Sequence, residues 1–402
     1  MARKPKIDRF NEVVKSKFQI YNSLFLTLPF DSIKKTSLML PLFKDYCDVG
    51  YKNGDNPETI VNTFFNKILP NYSIKKKNEL MFHFIQYIER QVVLFDAIED
   101  AGFSYVNNMH GRGTLRYINE EAVNSNSLDQ LREYLNNFRV RIVLTAHPTQ
   151  FYPDSVLGII NDLSKSINNG SLDTIKKLLN QLGRTRFYKS KKPSPYDEAT
   201  SLIWYLENIF YYSAGNIVNY LNENVFKGKE LDNSIFDFGF WPGGDRDGNP
   251  FVTTEITIKT AEKLKHSILR NYYRSLRSLR RKLTFDGVYE RVQDLENKVY
   301  KSLLNNSNQG FTLEYMKSEL DQIYKLIKDN YDSLYSDLVL DLIHKVKLFG
   351  FHFASLDLRQ DSSIHSSVFN DIIKNSIVEK ILKYDSKTYL ELDHDLRCEI
   401  LA

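Results

Sequence analysis

The chain has 402 residues, with Lys+Arg 54 against Asp+Glu 50, a formal net charge of +4, 42% hydrophobic and 26% charged residues. This is too apolar for disorder, and the mildly basic balance does not by itself indicate a nucleic-acid partner, for which a clustered basic face is expected. Its two cysteines, Cys47 and Cys398, form no CxxC pair, which excludes a Cys-based zinc site or iron–sulfur cluster and makes a reducing, cytoplasmic compartment the expectation.

The N-terminal stretch MARKPKIDRFNEVVKSKF has a basic start but no apolar core behind it, so no signal peptide is expected. No segment is long and clean enough to span a bilayer, and a soluble protein without a membrane partner is expected. Only 17 Gly and 11 Pro punctuate the chain, which favours long helices. From about residue 8 to 105 the pattern is helical, with Phe82, Ile85, Ile88, Val92 and Leu94 close to helical spacing. Residues 107–117 read as a loop and 128–137 as a helix. A short β-branched run follows, Val140, Ile142, Val143 and Leu144, and it stops before Pro148, which fits neither a ladder nor a helix interior. Further strands are predicted over Ile235 to Trp241 and over Leu348 to Leu358.

Long helical stretches lie between them, at 155–182, 195–222, 253–284 and 290–330. Ser194-Pro195-Tyr196-Asp197-Glu198 is a helix start, with a capping serine, a first-turn proline and two acids. The helix it opens should bury Leu202, Leu206, Ile209 and Ile217. In 261–283, Leu264, Ile268, Tyr272, Leu276, Leu279 and Leu283 share one face, while Arg270, Arg274, Arg277, Arg280 and Arg281 form a solvated one. A basic helix of this kind could also serve nucleic acid, but that reading leaves the clusters described next unexplained. There is no repeat and no linker, so one unit spanning 1–402 is expected.

Each predicted strand ends in a polar cluster, the strand–loop–helix pattern of α/β proteins, whose reactive groups sit at the carboxyl ends of the strands. The first cluster is Thr145-Ala146-His147-Pro148-Thr149-Gln150. There His147 is either a general acid or base or a histidine that bonds a backbone carbonyl. The second runs from Trp241 to Pro250 and includes Asp245, Arg246, Asp247 and Asn249. It opens like a calcium loop, but Pro250 stands where that loop needs glycine and Ile256 where it needs glutamate. Its paired charges either hold a strand end for an anionic ligand or pin the fold. In the third, alternation puts Asp357 and Arg359 on one side and Leu356 and Leu358 on the other. Arg359 is either an anion anchor or half of a buried Asp–Arg pair. His147, Arg246 and Arg359 are expected at one end of a short parallel sheet. No GxxxxGK[ST], GxGxxG, HExxH or GxSxG is present.

VLTAHPTQ, KPSPYDEA, WPGGDRDGNPFVT and FGFHFASLDLRQDS occur in that order. The set resembles the phosphoenolpyruvate carboxylases of bacteria and plants, whose usual forms are close to TAHPTE, KPTPxDEA, WMGGDRDGNPxVT and LDxRQ(E/D)S. The resemblance implies a predominantly helical α/β fold, the first strands and helices of a (β/α)8-type barrel embedded in many helices. On it, 1–138 is the mainly helical N-terminal region and 139–402 the start of the barrel. It implies carboxylation of phosphoenolpyruvate by bicarbonate to oxaloacetate and phosphate, through carboxyphosphate and an enolate. It implies His147 as the catalytic group and Arg359, Gln360, Arg246 and Trp241 at the substrate. Asp245, Asp247, Asn249 and Asp357 then support them. It also implies Mg²⁺ or Mn²⁺ as cofactor and a homo-oligomer, a tetramer, when complete.

Two departures stand out. Gln150 replaces the usual Glu, and Phe151-Tyr152-Pro153-Asp154-Ser155 replaces a basic run. The family's C-terminal half, with its mobile GRGG-type loop and acidic metal ligands, has no counterpart here, since Gly111-Arg112-Gly113 comes too early. No metal ligands are therefore expected in this chain, which should be inactive alone. The competing reading is a non-catalytic or regulatory half that pairs with a separate C-terminal partner.

Overall fold

A computed structural model describes residues 4–28, 36–145, 152–187, 193–227, 235–305 and 311–373, together with 231, 393 and 396. The chain divides into two compact units, Met1–Ile118 with Thr149–Lys191 and Asn119–Pro148 with Lys192–Ala402. Among the described residues no helix is long and apolar enough to cross a membrane.

The first unit is helical. Its longest element, the Ile74–Val106 helix, starts where the Ser73 hydroxyl accepts the Lys76 N–H. It buries Leu80, Phe84, Tyr87, Arg90, Val93, Leu94, Ala97, Ile98 and Ala101. The helix forms as predicted, but the stripe read from the sequence is mostly the outer one: Phe82, Ile85, Ile88 and Val92 are exposed and only Leu94 is buried. Apolar residues line both sides of this helix, and periodicity alone cannot choose between them. The buried side packs on Val156, Ile159, Leu163 and Ile167 of the Asp154–Asn168 helix and on Leu179 and Leu182 of the Leu172–Arg184 helix. The sequence suggested one helix over 155–182. Gly170, at φ +68°, breaks it into these two.

In the second unit a capping box closes the start of the Pro195–Tyr205 helix: the Ser194 hydroxyl accepts from the Asp197 N–H and the Asp197 carboxylate from the Ser194 N–H. The helical run continues to Phe226 through two π-helical segments, Leu206–Phe210 and Leu221–Phe226. A π turn inserts a residue into the 3.6 period, so the buried face shifts. Leu206 is buried and Leu202 packs half-buried on the core as expected, but beyond the first π segment Tyr211, Ala214 and Val218 carry the buried face, Ile217 is half-buried and Ile209 is exposed. The Thr254–Arg280 helix follows its pattern, and Leu264, Ile268, Tyr272, Leu276 and Leu279, with Leu283 just beyond it, are all buried. On its other face Arg274, Arg277 and Arg281 are exposed, while Arg270 and Arg280 approach Glu207 and Glu296.

Among the described residues three strands form one parallel sheet in the order β1 (Val140–Leu144), β2 (Phe236–Phe240), β3 (Ser355–Leu356). β1 coincides with its predicted run and β2 is one residue shorter at each end. The third expectation, a strand from Leu348 to Leu358, is corrected. Leu348 and Phe349 end the Ser336–Phe349 helix, whose buried side already carries Val339, Leu342, Ile343 and Val346. Gly350 then ends that helix at φ +53°, and only two residues pair with β2. The sheet is two-faced. Ile142, Leu144, Phe236, Phe238, Phe240 and Leu356 face the main core, and the opposite side carries Arg141, Asp237 and Gly239. The described strands form an open sheet rather than a closed barrel.

Candidate functional site

Because the strands are parallel, their carboxyl ends lie at one end of the sheet. The ladder continues one step past each strand: the Trp241 N–H donates to Leu144 O at 2.9 Å and the Asp357 N–H to Phe240 O at 2.9 Å. After Trp241 the chain turns tightly, and its carbonyl accepts from the N–H groups of both Gly244 (2.9 Å) and Asp245 (2.8 Å). Two glycines make this turn possible. Gly243 sits at φ +81°, where an added Cβ would strike Thr260, and a Cβ on Gly244 would strike the Asp357 carbonyl.

The turn brings the second cluster beside the third. The Arg359 N–H donates to Gly244 O at 3.1 Å and the Arg246 N–H to Arg359 O at 2.9 Å, with Asp245 and Arg359 forming a parallel bridge. Two clusters more than a hundred residues apart are thus joined by backbone. Arg359 Nη1 donates to Asp245 Oδ2 at 2.8 Å, and its Cζ lies 3.9 Å from the Trp241 ring centroid. Cation–π stacking and the ion pair together fix the plane of the guanidinium. The side chain is 40% exposed, and among the described residues Asp245 is its side-chain partner.

Arg246 is held differently. Its Nη2 donates to Thr257 Oγ1 at 3.2 Å, and that hydroxyl donates to Gly243 O at 2.7 Å. Its Nε is buried and has no partner among the described residues. Asp247 and Asn249 build the loop: the Asp247 N–H donates to Asp245 Oδ1 at 3.2 Å and the Phe251 N–H to Asn249 Oδ1 at 3.1 Å. Gln360 Oε1 accepts from the Asp361 N–H at 2.9 Å. Asp361 precedes the Ser362–Ile373 helix, and bonds from the Ser363 hydroxyl and N–H hold its carboxyl below the usual carboxylate range.

Asp357 does not pair with Arg359, its neighbour in sequence. One oxygen accepts from Arg141 Nη2 at 2.6 Å and the other from Trp241 Nε1 at 3.1 Å. The Asp–Arg pair that the sequence left open is therefore two half-exposed pairs, Arg359–Asp245 and Arg141–Asp357. Arg141 and Asp237, which also pair at 3.1 Å, were missed from sequence. The available signal was a lone charge inside each of two apolar strands, at positions that alternation puts on one face. His147 lies outside the described residues, with Ala146, Pro148, Thr149 and Gln150.

Two arginines, 141 and 359, thus pair with three aspartates, 237, 245 and 357, while Arg246 is held by Thr257 and Asp247 by its backbone N–H on Asp245. The cluster orients cations at a strand end without being net positive. Among the described residues there is no group of three or more His, Cys, Asp or Glu placed to hold a metal ion, and Asp237, Asp245 and Asp357 are each engaged by an arginine.

The family described as phosphoenolpyruvate carboxylase matches residues 80–310 and 288–402 of the chain. Curated proteins named phosphoenolpyruvate carboxylase are similar to it. One from Shewanella sediminis is 26% identical over 297 residues, covering 62% of this chain and 34% of that protein. One from Shewanella loihica is 25% identical over 291 residues, covering 61% and 33%, and one from Aeromonas salmonicida is 25% identical over 292 residues, covering 62% and 33%. The chain spans about a third of the length of these relatives.

Proposed function

The chain belongs to the phosphoenolpyruvate carboxylase family, and from that premise we propose that its sheet end binds phosphoenolpyruvate for carboxylation by bicarbonate to oxaloacetate and phosphate. A bicarbonate oxygen attacks phosphorus and the bond from phosphorus to the enol oxygen breaks, leaving carboxyphosphate and the enolate of pyruvate. Carboxyphosphate then splits to carbon dioxide and phosphate, and the enolate methylene carbon attacks carbon dioxide. Arg359 and Arg246 anchor the substrate phosphate, Trp241 and Gln360 border it, and His147 moves the proton between the two half-reactions. Asp245, Asp247, Asn249 and Asp357 hold these groups in place.

The observation that carries this reading is the setting of Arg359. Its guanidinium is fixed over Trp241 and on Asp245, half-exposed, beside Arg246 at the carboxyl end of a parallel sheet. A planar donor fork held this way matches a phosphate. We extend the reading to a (β/α)8-type barrel of which β1–β3 are the first strands. Parallel sheets are normally covered on both faces, whereas Arg141 and Asp237 are 45% and 37% exposed. We also extend it to a cytoplasmic homo-oligomer.

Magnesium or manganese, when bound, would supply charge stabilisation for the transferring phosphoryl group. The described residues do not fit such an ion, because no three or more His, Cys, Asp or Glu are grouped to hold it and Asp237, Asp245 and Asp357 are engaged by arginines. The 402-residue chain alone is therefore expected to bind phosphoenolpyruvate without turning it over. Isothermal titration with phosphoenolpyruvate, and a malate dehydrogenase-coupled assay with phosphoenolpyruvate, bicarbonate and Mg²⁺, test the two halves of this statement. No binding would remove the substrate reading. Turnover by the chain alone would show that the missing positive charge is already within it.

A further inference from the structure

The sheet face turned away from the core carries a line of polar groups to which the reaction above gives no direct part. Arg141 is in β1 and Asp357 follows β3, with β2 between them. The Arg141 guanidinium bridges this gap, with Nη1 on Asp237 Oδ2 at 3.1 Å and Nη2 on Asp357 Oδ1 at 2.6 Å. It crosses β2 at Gly239. A Cβ there would lie 3.0 Å from Arg141 Nε, 3.2 Å from Arg141 Nη2 and 3.1 Å from Asp357 Oδ2. Gly239 is not in the left-handed region, so the backbone does not require glycine. A glycine inside a strand weakens it unless something approaches closely, and here the close approach is the Arg141–Asp357 pair.

The line continues to the ligand end. The second oxygen of Asp357 accepts from Trp241 Nε1 at 3.1 Å, and the Trp241 ring carries Arg359 with Cζ 3.9 Å from its centroid. We propose that Arg141 is a positioning residue: reaching over Gly239, it holds Asp357, which fixes the Trp241 indole and so sets the plane in which Arg359 meets an anionic phosphate. This rests on the reading of Arg359 as the phosphate anchor. Without Arg141, Asp357 keeps, among the described residues, only the indole N–H as a side-chain partner, and the ring is free to turn about the bond that now orients it. A bidentate fork depends on orientation more than a point charge does, so the loss reaches the ligand although Arg141 does not touch it.

The test uses the full 402-residue chain carrying Trp204→Phe, which leaves Trp241 as its single tryptophan. Trp204 is 53% exposed on the Pro195–Tyr205 helix. The probe is phosphoenolpyruvate. Arg141→Met should lower the fluorescence anisotropy of Trp241, shift its emission to the red and weaken phosphoenolpyruvate binding about tenfold. The urea midpoint should barely move, because the pair is half-exposed. Arg141→Lys, which keeps the charge but not the fork, should recover part of the affinity. Gly239→Val, which leaves Arg141 present but blocks its path, should change the Trp241 signal in the same direction. If the parent chain does not bind phosphoenolpyruvate, the reading of Arg359 fails and this proposal with it. If the parent binds and Arg141→Met leaves either the affinity or the Trp241 signal unchanged, the role of Arg141 alone is overturned.

Discussion

Among the described residues two arginines stack on aromatic rings, one in each compact unit, and they differ in what their remaining donors face. Arg90 lies in the helical unit, 7% exposed, with its Cζ 4.8 Å from the Phe187 ring centroid. All three of its nitrogens donate to backbone carbonyls: Nε to Leu182 at 3.1 Å, Nη1 to Gln86 at 2.7 Å and Nη2 to Thr185 at 2.8 Å. Two of these carbonyls lie at the end of the Leu172–Arg184 helix, that of Leu182, which also accepts from the Thr185 N–H at 3.3 Å, and that of the C-cap residue Thr185. Arg359 in the sheet unit has the same stacked posture, but a single nitrogen is bonded to a side chain and the group is 40% exposed. The ring fixes the guanidinium in both places. What it then does is decided by whether its donors meet backbone or solvent.

That contrast can be broken by substitution. Arg90→Met keeps an apolar stem against Phe187 but removes three charge-assisted hydrogen bonds to backbone carbonyls, and it should cost about 2–3 kcal/mol of unfolding free energy in urea. A loss well below that would mean that these carbonyls find other partners and that Arg90 is not the structural member of the pair. Arg359→Met should show the reverse. Its exposed ion pair contributes less than ~1 kcal/mol to stability, whereas phosphoenolpyruvate affinity should fall at least ~tenfold in calorimetric titration. A large stability loss with unchanged affinity would place Arg359 alongside Arg90.

The sequence made the polar clusters visible for a physical reason. Small and charged residues at the end of an apolar strand cannot be core, so Trp241–Asn249 and Asp357–Asp361 stood out before any coordinates. What stayed hidden was partnership. Asp357 and Arg359 are two residues apart, yet their ion-pair partners, Arg141 and Asp245, are 216 and 114 residues away, set by a register that no local pattern contains. The same limit applies to the fold. β1 is legible because its apolar run is bounded by polar residues. The Leu348–Leu358 run mixes the end of a helix, a glycine cap, three core aromatics and two strand residues, and its apolarity is all that composition reports. In the 195–226 helix, the π turns at Leu206–Phe210 and Leu221–Phe226 shift the period in a way that counting by 3.6 cannot anticipate.

A third arginine sharpens the comparison with the smallest expected effect. Arg270 has Nη1 3.7 Å from the buried Glu207 and Nη2 3.4 Å from His266 Nδ1. Arginine only donates, so His266 Nδ1 accepts and the imidazole is neutral in this contact. Burial first, then the charges of Arg270 and Lys263, hold His266 below the usual histidine range, against the opposing pull of the Leu303 carbonyl and Glu207. The folded state therefore binds this proton less readily than the unfolded chain, where histidine titrates near ~6.5. Stability from this group is complete above that value and is lost as pH falls through the lower folded value. Thermal unfolding between pH 7 and 5 should drop further for the parent than for His266→Asn, by no more than a few degrees because the histidine is only partly buried. Phosphoenolpyruvate affinity should fall equally in both chains over that range. If His266→Asn instead altered the pH dependence of binding and left the melting curves superimposed, Arg270 would join Arg359 as an arginine whose donors serve a ligand, and burial beside a carboxylate would no longer suffice to identify a structural one.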